Sequence, residues 1–172
     1  LRKHPDYTVE NLRGNVQKRL EKLEQSSWSG AVFAQAGLER LGFTGLIYEP
    51  LDWMISAPAQ GIVGIASLES NTEIQPYLKK INCKQTELCA KVERTFLNTL
   101  EGGCTAPIGA FSKIENNTLI FKGGLFSLDG KKSLIIEEEV SLDQVANFGK
   151  MAAIKILEQG GEALMEQIKS QM

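Results

Sequence analysis

One thiol lies in a sequence context that could place it within reach of a large ligand. Cys104 follows Gly102 and Gly103 and precedes Pro107 and Gly109. Glycine frees the backbone for a tight loop, and proline and glycine are typical of turns. Because a helical pattern precedes this stretch and strand patterns follow it, we expect Cys104 on a short loop between two regular elements. A thiol on such a loop can act as a nucleophile towards a bulky substrate.

The pattern alone leaves a simpler interpretation of Cys104 open. Free cysteines are often small buried hydrophobes without chemistry, and glycine pairs often mark plain turns. The only histidine, His4, is remote in sequence, so we do not expect the cysteine–histidine pair of a thiol protease. Cys83 and Cys89 have neither a CxxC nor an i, i+4 spacing, and we therefore expect no metal site.

The stretch from Leu100 to Gly109 resembles the cofactor-attachment loop of the porphobilinogen deaminases, also called hydroxymethylbilane synthases. Further segments resemble this family in the same order along the chain: Leu12-Arg13-Gly14-Asn15-Val16 with Arg19, Ala36-Gly37-Leu38-Glu39-Arg40-Leu41-Gly42, and Pro58-Ala59-Gln60-Gly61-Ile62-Val63-Gly64-Ile65. Ordered motifs that cover most of the chain make a specific signal, which a lone Gly-Gly-Cys would not.

The resemblance implies a transferase that condenses four porphobilinogen molecules head to tail, with release of ammonia, on the pathway to tetrapyrroles and heme. It implies a dipyrromethane cofactor joined to Cys104 by a thioether, a role that suits a thiolate because it is a strong nucleophile near neutral pH. The family's catalytic aspartate belongs to an N-terminal domain without a counterpart here. We therefore expect no catalytic residue in this chain and interpret it as a fragment that is inactive alone.

The resemblance also implies cofactor contacts beyond the cysteine. Arg13 and Arg19 are expected to bind the cofactor carboxylates, since a guanidinium grips a carboxylate through two hydrogen bonds and stays charged. Without the resemblance, both would be interpreted as solvated surface arginines. Ala36, Gln60 and Gly61 complete the expected set, and a polar turn residue is the alternative for Gln60.

The resemblance gives a second role to one helix of the C-terminal half. Glu93 and Arg94 match a glutamate–arginine pair that lies near the domain interface in the family. The alternative is an ordinary solvated helix face.

Composition limits the classes of protein that this chain can belong to. A hydrophobic content of 42% in 172 residues supports a real core rather than disorder. A net charge of −2 offers no general attraction for nucleic acid or an anionic membrane, and no apolar run approaches the roughly 18 residues of a membrane span. Three cysteines without framework spacing, and no secretory signal, favour a cytoplasmic location.

The first half is predicted to be a partial α/β domain with a parallel sheet, at residues 1–56. Strand, helix, strand and helix patterns follow one another there, at 7–12, 16–25, 31–34 and 38–41. A hinge loop, a crossover strand at 62–66 and a connector follow at residues 57–81. An unpaired apolar strand is a template for association, so we expect self-association through residues 62–66, although the family is monomeric.

Residues 82–172 are predicted to form an α+β domain that carries the cofactor cysteine. A helix at 83–99 precedes three antiparallel strands, at 108–114, 118–126 and 134–140, and helices cover the sheet. Asn82 with Gln85 and Ser141 with Gln144 resemble capping boxes, and the pair Gly123-Gly124 indicates a bulge.

Two functions of other classes stay open at this point. The α/β half resembles, at the level of fold alone, the lobes of proteins that clamp small anions, so the chain could be a non-catalytic module that binds a carboxylate ligand. It could also be a scaffold piece that is ordered only beside a further domain. A dipyrrole adduct in the intact mass of the protein separates the enzyme from both.

Overall fold

A computed structural model describes residues 2–101 and 106–171. The chain divides into two compact units, one formed by Asp6–Leu51 and the other by Leu1–Pro5 with Asp52–Met172. The domain limits drawn from the sequence stay predictions. No helix among the described residues is both long and apolar enough to cross a bilayer.

The unit Asp6–Leu51 contains two helices, α1 at Val16–Glu24 and α2 at Gln35–Arg40. Gly14 turns the chain ahead of α1 with a φ of 129°, a conformation that favours glycine. Asn15 then caps α1, because its side-chain oxygen accepts a hydrogen bond from the backbone N–H of Lys18 at 2.9 Å. The local signals of turn and cap therefore fix where α1 begins.

The parallel sheet expected in the first half is not confirmed. Residues 7–12, 31–34 and 62–66 belong to no strand in the part of the chain that the structure describes. Strand propensity reflects packing against neighbours, and parallel strands occur almost only where both faces are covered. The side chains of Val32 and Val63 are instead exposed. These segments therefore lie outside any sheet of the described structure.

The second unit is built on an antiparallel sheet of three strands: β1 at Ile108–Glu115, β2 at Thr118–Phe126 and β3 at Ser133–Ser141. Their order is β1-β2-β3, which is the meander that the sequence predicts. Asn116 and Asn117, with φ of 48° and 61°, form the two-residue turn between β1 and β2.

The bulge predicted at Gly123 and Gly124 is absent from β2. The two glycines pair with Ala110 and Gly109 in an unbroken register. A Cβ atom added to Gly123 would lie only 2.7 Å from the ring of Phe121. The glycines therefore make room for aromatic rings on the sheet rather than for an extra residue.

The second unit also contains helices: α3 at Gln75–Ile81, α4 at Lys84–Thr99, a 3-10 helix at Leu142–Asn147, α5 at Phe148–Ile156 and α6 at Glu162–Gln171. Neither predicted capping box forms a side-chain cap at its helix start. The side chain of Asn82 donates instead to the carboxylate of Glu87 at 2.6 Å. Gly160, with a φ of 102°, separates α5 from α6.

The core of the second unit lies between α4, α5 and the sheet. Three aromatic rings form its centre, with Phe121 in edge-on contact with Phe96 at 5.2 Å and with Phe148 at 5.4 Å between ring centroids. Each such pair contributes about 0.5–1.5 kcal/mol beyond its buried area. Apolar side chains of α4, of α5 and of the strands supply this core, so both ends of the cysteine-bearing segment are attached to packed elements.

Candidate functional site

The position of Cys104 in the chain agrees with the expected connection between two elements. Helix α4 ends at Thr99 and strand β1 begins at Ile108, close to the predicted limits. Residues 102–105 lie outside the described residues, so the thiol's environment stays a prediction.

The two remaining thiols differ in their chemistry. Burial raises the pKa of the Cys89 thiol, which makes it a poor nucleophile. Cys83 is exposed, and a hydrogen bond with the Thr86 side chain lowers the pKa of its thiol. No cluster of three or more potential metal-binding His, Cys, Asp or Glu side chains occurs in the described ranges. Cys83 is thus the described thiol with the most thiolate character, and any assignment to Cys104 must be tested against it.

Arg19 lies in the second turn of α1 and is held in place by its neighbours. Its Nη2 donates to the backbone oxygen of Val32 at 2.6 Å, and its guanidinium carbon lies 4.6 Å from the centre of the Phe33 ring. Its Nε atom is buried and has no acceptor among the described residues. Buried polar groups normally have partners. Arg19 is therefore a fixed cation with a spare donor, which is unlike a freely solvated arginine.

Arg13 lies just ahead of the N-cap of α1. Its side chain is exposed, and its backbone oxygen accepts a hydrogen bond from the side-chain amine of Lys22 at 3.0 Å. Positive charge at this end of a helix adds to the partial positive charge of the helix dipole, and the combination favours anions. Arg13 and Arg19 thus lie near the same helix start. The Arg13 side chain is exposed, whereas the Arg19 side chain is held by its neighbours.

Ala36 lies in α2 of the same unit and is exposed. It has no polar side chain, so its expected cofactor contact would be a van der Waals contact or one through the backbone.

Gln60 and Gly61 lie in the second unit, in a short turn at residues 57–61. The side-chain oxygen of Gln60 accepts from the backbone N–H of Ala57 at 3.1 Å, which closes the turn. Gly61 follows with a φ of 82°. Gln60 also borders an open groove of about 250 Å³. Gln60 therefore has a structural role in its own turn.

Glu93 is the functional candidate whose surroundings sequence reasoning did not resolve. Its residue is only 4% exposed, so the alternative of a solvated helix face is wrong for it, whereas Arg94 is exposed. One carboxylate oxygen accepts from the backbone N–H of Ala59 at 2.7 Å, and the other accepts from Ser112. Glu93 therefore joins the turn at residues 57–61 to strand β1.

Comparisons with known proteins give one family for both halves of the chain. The family model described as "Porphobilinogen deaminase, dipyromethane cofactor binding domain" matches residues 1–76. The model described as "Porphobilinogen deaminase, C-terminal domain" matches residues 87–158. The second range includes Cys104, and the first includes both arginines.

Individual relatives agree with the family models. A porphobilinogen deaminase of Desulforamulus reducens is 33% identical over 172 residues, which are 99% of this chain and 56% of that protein. One from Carboxydothermus hydrogenoformans is 37% identical over 167 residues, 96% of this chain and 54% of that protein. A probable porphobilinogen deaminase of Hyperthermus butylicus is 38% identical over 152 residues, 88% of this chain and 50% of that protein.

The chain spans about half the length of the curated relatives that it matches. Within that half, the matches run through both compact units and through the four motifs that the sequence shares with the family. This chain therefore belongs to the porphobilinogen deaminase family, which consists of transferases of tetrapyrrole biosynthesis with a dipyrromethane cofactor.

Proposed function

We propose that this chain is the cofactor-bearing part of a hydroxymethylbilane synthase. The proposed reaction condenses four porphobilinogen molecules head to tail and releases one ammonia for each. The observation that carries the proposal is that matches to both domain models of one family include the Gly-Gly-Cys segment and the arginines at the start of α1. Porphobilinogen is accordingly the proposed substrate, and the proposed location is the cytoplasm.

Cys104 is the proposed attachment point of the cofactor. Its thiolate sulfur would form a carbon–sulfur bond with the methylene carbon of a porphobilinogen unit, while the carbon–nitrogen bond of that carbon breaks and ammonia leaves. A thiol achieves this more readily than a hydroxyl near neutral pH. When bound, the dipyrromethane supplies a primer with a free pyrrole end to which substrate units add. A covalent tether at Cys104 replaces a binding equilibrium with a fixed high effective concentration. Glycines on the N-terminal side of the thiol suit an approach by a bulky group.

The fit of this chain to a polyanionic cofactor is supported by Arg19. Dipyrromethane carries acetate and propionate carboxylates, and a carboxylate is the acceptor that a guanidinium binds best. Arg19 has a buried N–H without an acceptor among the described residues, although its other contacts hold it firmly. Arg13 at the same helix start adds a second, exposed cation. We propose that both bind carboxylates, with Ala36, Gln60 and Gly61 as further contacts.

Proton transfer to the leaving ammonia is not assigned to any residue of this chain. In the family that role belongs to an aspartate of another domain, and the chain covers 54–56% of two of its bacterial relatives. We therefore expect a polypeptide of these 172 residues alone to form no hydroxymethylbilane from porphobilinogen. A full-length protein of the family, assayed beside it by product absorbance, is the control. Measurable turnover by the 172-residue polypeptide would contradict this.

The attachment of the cofactor is tested by the intact mass of the full-length protein. The wild type should carry the added mass of a dipyrrole and react with a colour reagent for pyrroles. Cys104→Ser should lose both signals and keep its fold, because a serine hydroxyl is far less nucleophilic at neutral pH.

Cys83→Ser is the matched control, since Cys83 is the exposed thiol with a lowered pKa. It should retain the full adduct. If the adduct persists in Cys104→Ser and disappears in Cys83→Ser, the assignment to Cys104 is wrong. A bare mass in the wild type would instead favour a module that binds a carboxylate ligand reversibly, an alternative that the comparisons do not support.

We further propose that the 172-residue polypeptide associates with itself through residues 62–66. These residues form no strand in the described structure, and Val63 and Ile65 are 77% and 59% exposed. Exposed apolar chain that belongs to no sheet is a template for pairing with another copy.

A further inference from the structure

Glu93 is a buried carboxylate whose described partners are neutral donors. The backbone N–H of Ser112 donates to Oε1 at 2.6 Å, the Ser112 hydroxyl donates to the same oxygen at 2.8 Å, and the backbone N–H of Ala59 donates to Oε2 at 2.7 Å. No lysine or arginine pairs with this carboxylate within the ranges that the structure describes. A buried charge is stable only where hydrogen bonds replace its hydration.

The donors come from two segments that the function uses. Ala59 belongs to the turn at residues 57–61, which contains Gln60. Ser112 belongs to strand β1, which begins at Ile108 shortly after Cys104 in sequence. The two oxygens of one carboxylate thus face the cofactor-contacting turn on one side and the strand that follows the cofactor cysteine on the other.

Two further contacts fasten the same two segments. The backbone N–H of Ala110 donates to the backbone oxygen of Ser56 at 2.9 Å. A Cβ atom added to Gly109 would lie 2.9 Å from the Cβ of Ile55, so the two backbones approach closely. Ile55 and Ser56, which directly precede the turn at 57–61, are therefore themselves in contact with β1.

The backbone at Ala59 is held in an unfavourable conformation. Its φ is 59°, in the left-handed region that non-glycine residues avoid. Such a conformation persists only where surrounding contacts impose it. The hydrogen bond from the Ala59 N–H to Glu93 is a contact of this kind. The strained backbone at Ala59 therefore indicates that surrounding contacts fix the position of the turn.

We propose that Glu93 is a positioning residue that holds the turn at residues 57–61, and Gln60 with it, at a fixed place relative to the strand that follows Cys104. The proposal rests on the proposed function, because it gives Gln60 and Cys104 a common cofactor. Glu93 touches neither substrate nor cofactor in this role. It acts through the backbone of Ala59.

Glu93→Gln changes the hydrogen bond with Ala59 and preserves the hydrogen bonds with Ser112. The carboxamide oxygen can still accept from Ser112, whereas its NH₂ group then faces the Ala59 N–H as donor against donor. Ser112→Ala is the matched control. It removes a buried hydroxyl from the same network and leaves the Ala59 bond to Glu93 in place.

The first measurement is amide hydrogen exchange over residues 57–61 in the full-length protein. We expect exchange about tenfold faster in Glu93→Gln, as the loss of one hydrogen bond to a charged group implies, and unchanged exchange in Ser112→Ala. If Glu93→Gln fails to fold, Glu93→Asp decides, because the shorter side chain keeps the charge but cannot reach both segments. Equal protection of the turn in the wild type and in the folded variant overturns the proposal.

The second measurement is kcat and KM for porphobilinogen in the cofactor-loaded full-length protein. Glu93→Gln should retain the adduct mass and lose about tenfold in kcat, in line with the same hydrogen bond, while Ser112→Ala keeps kcat even if its melting temperature falls. Equal loss of kcat in both variants would show a general structural role and overturn the proposal. A third outcome is faster exchange at 57–61 in Glu93→Gln than in the wild type, together with a wild type that carries no adduct. This outcome would uphold the contact of Glu93 with the turn and refute the proposed function instead.

Discussion

At the scale of single residues, Gly149 shows how an absent side chain sets the distance between two helices. It lies near the start of α5 and is buried against α4. A Cβ atom at this position would lie 2.3 Å from the backbone oxygen of Val92 and 3.2 Å from the Cβ of Thr95. A backbone oxygen in the middle of a helix cannot move aside, so α5 itself would have to shift away from α4.

Gly149→Ala should therefore lower the free energy of unfolding, although alanine favours the helical conformation. Overpacking of a tight contact costs about 1–3 kcal/mol, which exceeds the gain of up to about 1 kcal/mol in helix propensity. The measurement is urea-induced unfolding followed by circular dichroism. Gly30→Ala is the control, because a Cβ there meets no atom within 4 Å. Equal stability of the two variants would contradict the close packing of α4 and α5.

Glu93 shows which features of the site can be predicted from sequence patterns. Cys89, Glu93 and Phe96 follow one another at i, i+4 and i+7 along α4, so helical phase places Glu93 on the buried stripe. Its burial could be predicted in this way. Its donors could not, because Ala59 and Ser112 lie 34 and 19 positions away in sequence and are brought together only by the fold.

Arg19 shows the same division between local and distant information. Its charge and its place at the start of α1 follow from the sequence, since Gly14 and Asn15 mark that start. Its fixation follows from the Val32 oxygen and the Phe33 ring, which lie in a later segment. The sequence therefore predicts a candidate anion-binding residue, and the structure adds that this residue is immobilised by its neighbours.

At the scale of elements, the successful predictions are those that local chemistry determines. The three strands of the meander were predicted within one residue at each end, because alternating apolar residues and Asn or Gly turns delimit them. The cap of α1 depends on local chemistry in the same way, since it is formed by the Asn15 side chain at the helix start. The two predicted capping boxes do not form. The Asn82 side chain has an alternative partner in Glu87, and the Ser141 side chain makes no cap hydrogen bond at its helix start.

Segments that need distant partners were predicted less well. Residues 7–12, 31–34 and 62–66 have the composition of strands, yet strand formation requires a neighbouring backbone. The described part of the chain pairs none of them. Apolar composition thus indicated a tendency to pair, and it could not indicate whether a partner is present.

At the scale of the whole molecule, residues 62–66 leave apolar chain exposed to solvent. Val63 and Ile65 are 77% and 59% exposed, and they follow closely in sequence on the turn at residues 57–61. Exposed apolar chain that belongs to no sheet favours association with another chain. In the 172-residue polypeptide another copy is the available partner.

The self-association proposed above predicts a dimer or larger species of the 172-residue polypeptide in light scattering after size exclusion. The combined change Val63→Lys and Ile65→Lys should shift it to a monomer, because lysine on an exposed edge opposes pairing through charge repulsion and loss of apolar contact. Met151→Lys is the control, since Met151 is an exposed apolar residue on α5, with 52% exposure. It should leave the association unchanged.

Two results would refute this role of residues 62–66. One is a wild-type polypeptide that stays monomeric at every concentration while hydrogen exchange shows the rest of the second unit to be folded. The other is equal dissociation by Met151→Lys and by the double change, which would indicate a general effect of charge rather than pairing through one segment. Because Glu93 fastens the turn just before Ile62, Glu93→Gln should also weaken the association by loosening the start of the pairing segment.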